Sequence, residues 1–205
     1  MVWTPPGKNC GSCGLPSCDE FTHAVSTGTK NQADCPFSTG DQPAQSTGRA
    51  RYSGTDVTGA QYDFVIHAFP GEPSARKFIV PFRADLVEKW DIRPGALVTG
   101  RPAGPGCPVY HVLRVLSANP VTGVLECHTV GPLAARREKT VDVQAYHVHA
   151  FEGIAETIHR PPTLGLRQRF LPGYCMMDLS HTAVVNMVLK KTDGIHVRVE
   201  DIRIQ

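Results

Sequence analysis

The sequence lacks long apolar runs, a surplus of one charge and a secretory start, and each absence removes a class of function. Its longest apolar stretches fall well short of the roughly 20 residues that cross a bilayer as a helix, so no membrane span is expected. The 21 basic and 19 acidic residues leave a formal net charge of +2. Beyond residue 60 the basic residues are scattered among acids rather than gathered in a stripe, so no nucleic-acid partner is expected. The opening Met1-Val-Trp-Thr-Pro-Pro-Gly7 has neither the basic nor the apolar segment of a leader peptide, which points to the cytoplasm. There is no P-loop and no nucleophile elbow, and Gly153-Ile-Ala-Glu-Thr-Ile158 lacks the glycines of a dinucleotide-binding turn. No repeat or low-complexity tract is visible.

What the chain does have is cysteine, and it is unevenly placed. Of seven cysteines, four lie within the first 35 residues: Cys10-Gly-Ser-Cys13-Gly-Leu-Pro-Ser-Cys18, then Cys35-Pro36. Thiolate is a soft ligand, and four on a short loop suit an iron–sulfur cluster or zinc. The spacing of two, four and sixteen intervening residues is neither that of two separated Cys-x-x-Cys knuckles nor the consecutive ferredoxin run. Structural zinc and two disulfides are the competing readings. The spacing speaks against the first, and the odd cysteine count and the absent leader against the second.

Local chemistry around these cysteines is coherent. Ser17-Cys18-Asp19-Glu20 is a capping-box pattern that predicts a helix starting at Cys18, with Phe21, Ala24 and Val25 on one face and Gly28 at its end. Cys18 would then sit where free backbone N–H groups and the helix dipole favour an anionic centre. Gly11 and Gly14 let amides approach the sulfurs, and Phe21, Val25 and Phe37 would cover one side. So few apolar groups cannot fold such a segment alone, so a metal is expected to supply much of its folding free energy.

These same residues carry a resemblance. Cys10-Gly11-x-Cys13-Gly14-x-Pro16-x-Cys18 followed by Phe21, Ala24, Gly28 and Cys35-Pro36 resembles the small [4Fe-4S] domain of the corrinoid iron–sulfur protein large subunit and of the Rnf-complex B subunit, over roughly residues 4–40. The resemblance implies one [4Fe-4S] cluster held by Cys10, Cys13, Cys18 and Cys35. It also implies electron transport, in anaerobic metabolism, to a redox protein partner such as a corrinoid or flavin protein. Four protein thiolates leave no iron site open to substrate, so an electron carrier is expected before an enzyme.

The rest of the chain is read from its own residues. Residues 41–60, rich in Ser, Thr and Gly, read as a linker or a strap. Residues 61–205 give some eight strand-like runs, among them Gln61–Phe69, Lys77–Arg83, Val109–Leu116, Gly123–Val130 and Thr140–Phe151, with Gly153–His159 as a further candidate strand and a terminal hairpin through Thr192-Asp-Gly194. The expected organisation is therefore a small, irregular α+β [4Fe-4S] domain (1–40), a linker (41–60) and a mainly-β domain (61–205), barrel or sandwich. Arg160–Gly173 reads as irregular and basic, and its Arg160, Arg167 and Arg169 as a solvated loop before a phosphate grip. Cys107, Cys127 and Cys175, with His111, are candidates for a second metal site, with His128 beside Cys127 and His181 after Cys175; the commoner role of single cysteines as core filler is the stronger reading. His147 and His149 share one strand face and read as an outer face. A flavin in the β domain, wired to the cluster, is a further expectation by analogy. A scaffold with a metal-clipped N-terminus is the alternative of another class.

Overall fold

The structure is a computed structural model and describes residues 13–35, 52–103, 107–173 and 175–204. The chain divides into two compact units, residues 1–51 and 52–205.

In the first unit, α1 (Cys18–Ser26) starts where the capping box predicts. The Ser17 hydroxyl accepts from the Glu20 N–H at 3.1 Å, and Gly28, at φ +72°, turns the chain out of the helix. Phe21 is its buried anchor. The N–H groups of Thr29 and Lys30 both donate to Ala24 O. A 3-10 turn (Gln32–Asp34) then leads to Cys35.

In the second unit, nine strands among the described residues form one sheet: β1 (Phe64–His67), β2 (Arg76–Pro81), β3 (Leu97–Pro102), β4 (His111–Ala118), β5 (Leu125–Thr129), β6 (Thr140–Glu156), β7 (Arg167–Pro172), β8 (His181–Lys191) and β9 (Gly194–Ile204). Short helices α2 (Leu86–Lys89) and α3 (Pro132–Ala135) lie between strands. The order β1-β7-β8-β9-β6-β2-β5-β4-β3 is supplemented by β1–β6 and β6–β3 pairings. The sheet therefore returns on itself twice, each time through the 17-residue β6. The β1–β7 and β3–β6 pairs are parallel and the rest antiparallel.

Each circuit encloses its own core. One packs Phe64, Ile66, Phe151, Phe170, Val185 and Val197; the other packs Ile79, Val98, Leu113, Leu125, Val143 and Tyr146. Val148 of β6 packs against both. A strand can serve two circuits only if it bends. β6 carries two irregularities: within its β3 pairing at Gln144, where φ is +62° and Asp142 Oδ1 accepts from the Gln144 N–H at 2.8 Å, and opposite Phe78 and Ile79 of β2, between Val148 and Ala150, where β9 pairing begins.

Three expectations change. Nine strands replace about eight, because Arg167–Pro172 is a strand and not irregular chain. Gln168 disguised it: a polar residue holds an inward position there, satisfied by the Thr163 N–H and by Pro161 O. The segment from Gly153, read as a separate strand, continues β6. Residues 52–60, read as the end of the linker, belong to the second unit. There Tyr52 is buried with Tyr62, Val65 and Leu171, and Asp56 binds the Ser180 N–H and hydroxyl.

Candidate metal centre and a cavity in the β unit

Of the four N-terminal cysteines, Cys10 lies outside the described residues, as do Gly11 and Phe37. Cys13 is half-buried on the loop before α1. Cys18 is the first residue of α1 and also half-buried, and Cys35 is buried behind the 3-10 turn. The turn is set by the Asp34 carboxylate, which accepts from the Asn31 N–H at 2.9 Å, and by Cys35 N–H donating to Gln32 O at 3.2 Å. Gly14, at φ +83°, carries no side chain beside Lys30, whose Nζ stands 3.8 Å from where a Cβ would be. Soft donors on a loop, a helix N-terminus and a tight turn, with a lysine ammonium alongside, fit an anionic thiolate-ligated group. Among the described residues, no three of His, Cys, Asp and Glu converge on the position of a single metal ion, here or in the second unit. A cubane spreads its ligands over four irons and needs a wider set than one ion does.

The second unit contains a cavity of about 250 Å³. Lys77, Cys107, His111, Cys175 and His181 line it, with walls that include Pro73, Ala75, Val109, Val148, Phe151 and Ile204. Three of the four residues expected at a second metal site thus reach one cavity. The fourth, Cys127, is fully buried in the β2–β6 core, where burial pushes its thiol up to about 12. Enclosure among apolar side chains is the setting in which single cysteines commonly serve as core filler.

Electrostatics in the cavity follow from burial. Desolvation brings the Lys77 ammonium down to about 8, opposed by the nearby thiols of Cys107, Cys175 and Cys127. The His111 imidazole is brought down to about 3, by burial first and then by the Lys77 charge and His181. His181 falls to about 4, by burial and then Lys77. Both imidazoles are neutral at pH 7. The Tyr146 hydroxyl, pushed up by burial, lies 2.6 Å from His111 Nδ1. His181 is singled out beside Cys175 by the sequence, whereas Lys77 is the residue the sequence reading passes over. A signal for Lys77 exists: it alternates with Ile79, so a strand that buries one buries both.

His147 and His149 are exposed, as an outer face requires. Arg160 is exposed, Arg167 pairs with Asp201, and Arg169 bonds the Ser180 hydroxyl at 3.3 Å, so Arg167 and Arg169 are engaged with different partners.

Residues 6–37 match the sequence model of a protein family described as "Putative Fe-S cluster". That match supports an iron–sulfur domain at the N-terminus, joined here to a mainly-β unit. Across nearly its whole length the chain is 28% identical to an uncharacterized protein of Methanocaldococcus jannaschii, covering 95% of this chain and 90% of that one. No solved structure matches the chain. No helix among the described residues is long and apolar enough to cross a membrane.

Proposed function

We propose that the chain is a [4Fe-4S] electron-transfer protein, or the electron-transfer subunit of a redox complex, with Cys10, Cys13, Cys18 and Cys35 as cluster ligands. The observation that carries this reading is the family match over residues 6–37, which spans all four cysteines. The capped helix start at Cys18 and the lysine beside Gly14 support it, since both offer positive potential to an anionic centre. A bound cluster would supply one-electron redox chemistry, and the protein would set its potential through burial and N–H groups near sulfur. A cytoplasmic, anaerobic setting and a corrinoid or flavin protein as partner belong to the same reading. The division into a cluster domain (1–40), a tether and a β domain that docks on the partner completes it.

A second reading makes the β unit the working site and the cluster its wire. The cavity favours it. At about 250 Å³ the cavity sits just below the usual range for small-molecule pockets, so it suits a ligand smaller than a flavin.

Anaerobic purification followed by EPR of the reduced protein tests the first reading. The expected result is a fast-relaxing signal from a half-integer-spin iron–sulfur centre, lost in Cys18→Ser. Stoichiometric zinc with no iron contradicts it.

A further inference from the structure

The β unit holds a buried cation that electron transfer does not use. Lys77 occupies an inward position of β2, in line with Ile79 and Pro81, and is only 6% exposed. Among the described residues it has neither an ion pair nor a hydrogen bond. The Phe151 ring lies against it, with its centre 5.3 Å from Nζ, and the thiols of Cys107, Cys175 and Cys127 are nearby. An ammonium withdrawn from water without a counter-charge is expensive. The surroundings say what would compensate it. Lys77 lines the cavity, and among the described residues no acidic side chain lines it with Lys77.

The two histidines present opposite faces. Among the described residues Tyr146 has no other acceptor, so its hydroxyl donates to His111 Nδ1, which leaves Nε2–H as the free donor of that ring. His181 Nδ1 lies 3.0 Å from Leu179 O; a carbonyl only accepts, so Nδ1 carries the proton and Nε2 keeps a lone pair. Most of the remaining wall is apolar.

We propose that this cavity binds a small organic carboxylate, its head group held by Lys77 Nζ and His111 Nε2–H and its apolar body against Val109, Val148, Phe151 and Ile204. One ammonium and one neutral donor match a single negative charge. A phosphate ester, with more charge and more oxygens, calls for additional donors. The volume limits the body to a short branched chain or a single ring. The lone pair on His181 would accept from a hydroxyl on the ligand. The lysine, with a pKa of about 8, is still charged at neutral pH. Every residue involved lies within the β unit, so the proposal stands or falls apart from the cluster.

The test uses the full chain, purified without oxygen and titrated at pH 7 with benzoate and isovalerate. Benzamide and isovaleramide serve as neutral isosteres, and binding is read by calorimetry and thermal unfolding. At least one carboxylate should bind and raise the unfolding temperature, with its amide about tenfold weaker or more. Lys77→Met should weaken carboxylate binding by roughly 10- to 100-fold. Should that variant fail to fold, the acid–amide comparison on the unaltered chain decides. Three results overturn the proposal: no binding of either acid at roughly 10 mM, a level that detects millimolar sites; amides binding as well as acids; or Lys77→Met binding as well as the parent.

Discussion

Asp56 and Lys77 are both buried and charged, and they stand at opposite ends of satisfaction. Asp56 Oδ1 accepts from the Thr58 N–H and hydroxyl and from the Ala60 N–H, while Oδ2 accepts from the Ser180 N–H and hydroxyl. Burial pushes its carboxyl up, but these bonds outweigh burial and hold it well below the usual range. A carboxyl depressed in the folded state contributes stability that is complete above its unfolded value, about 4, and is lost as pH falls below it. Asp56→Ala should cost roughly 3 kcal/mol at pH 7 in urea denaturation, with the difference shrinking toward pH 2. Lys77 carries the opposite sign. Its folded value of about 8 lies below the unfolded one, so the unfolded chain binds more protons between about 8 and 10 and stability rises with pH there. Lys77→Met should be more stable than the parent by roughly 3 kcal/mol at pH 7, with the gap closing toward pH 10. A parent chain equal to the variant at pH 7 would contradict the reading of Lys77 as an uncompensated charge. At this scale the sequence is legible where the chemistry is local, as at the Ser17 cap and in the segment that the iron–sulfur family model matches. It is opaque where burial across distant strands decides, as at Lys77 and Gln168.

Elements differ in how much of them a short window contains. The start and end of α1 are written in four residues and one glycine, and the structure follows both. Ser17→Ala removes the cap at a cost of about 1 kcal/mol. In the cluster-bearing protein it should speed iron loss to a chelator several-fold, and an unchanged rate would mean that the cap does not support the centre. Strand β6 is legible as alternation but not as a hinge shared by two circuits, because that role depends on β1, β2, β3 and β9 together. Gly153 marks it. A Cβ there would lie 2.0 Å from His67 O of the paired strand β1. Gly153→Ala must therefore separate β1 from β6, and soluble yield or unfolding midpoint should fall by the equivalent of about 3 kcal/mol or more. Strand β7 was hidden for a different reason. Two arginines flank a buried glutamine, and composition alone reads them as loop.

At the scale of the molecule, two units of different physical kinds share one chain. The β unit encloses two apolar cores, and Phe170, fully buried between Phe64 and Phe151, represents the roughly 2–3 kcal/mol that each such side chain contributes. The N-terminal unit has Phe21 and Cys35 as its buried apolar residues among those described, so its order should depend on what its thiolates bind. The similarity to the Methanocaldococcus jannaschii protein covers 95% of the chain and so extends into both units. The most direct measurement is iron, acid-labile sulfide and zinc counted on one anaerobic sample of the full chain. The account predicts about four irons and four sulfides per chain and negligible zinc. One zinc per chain without sulfide would contradict it.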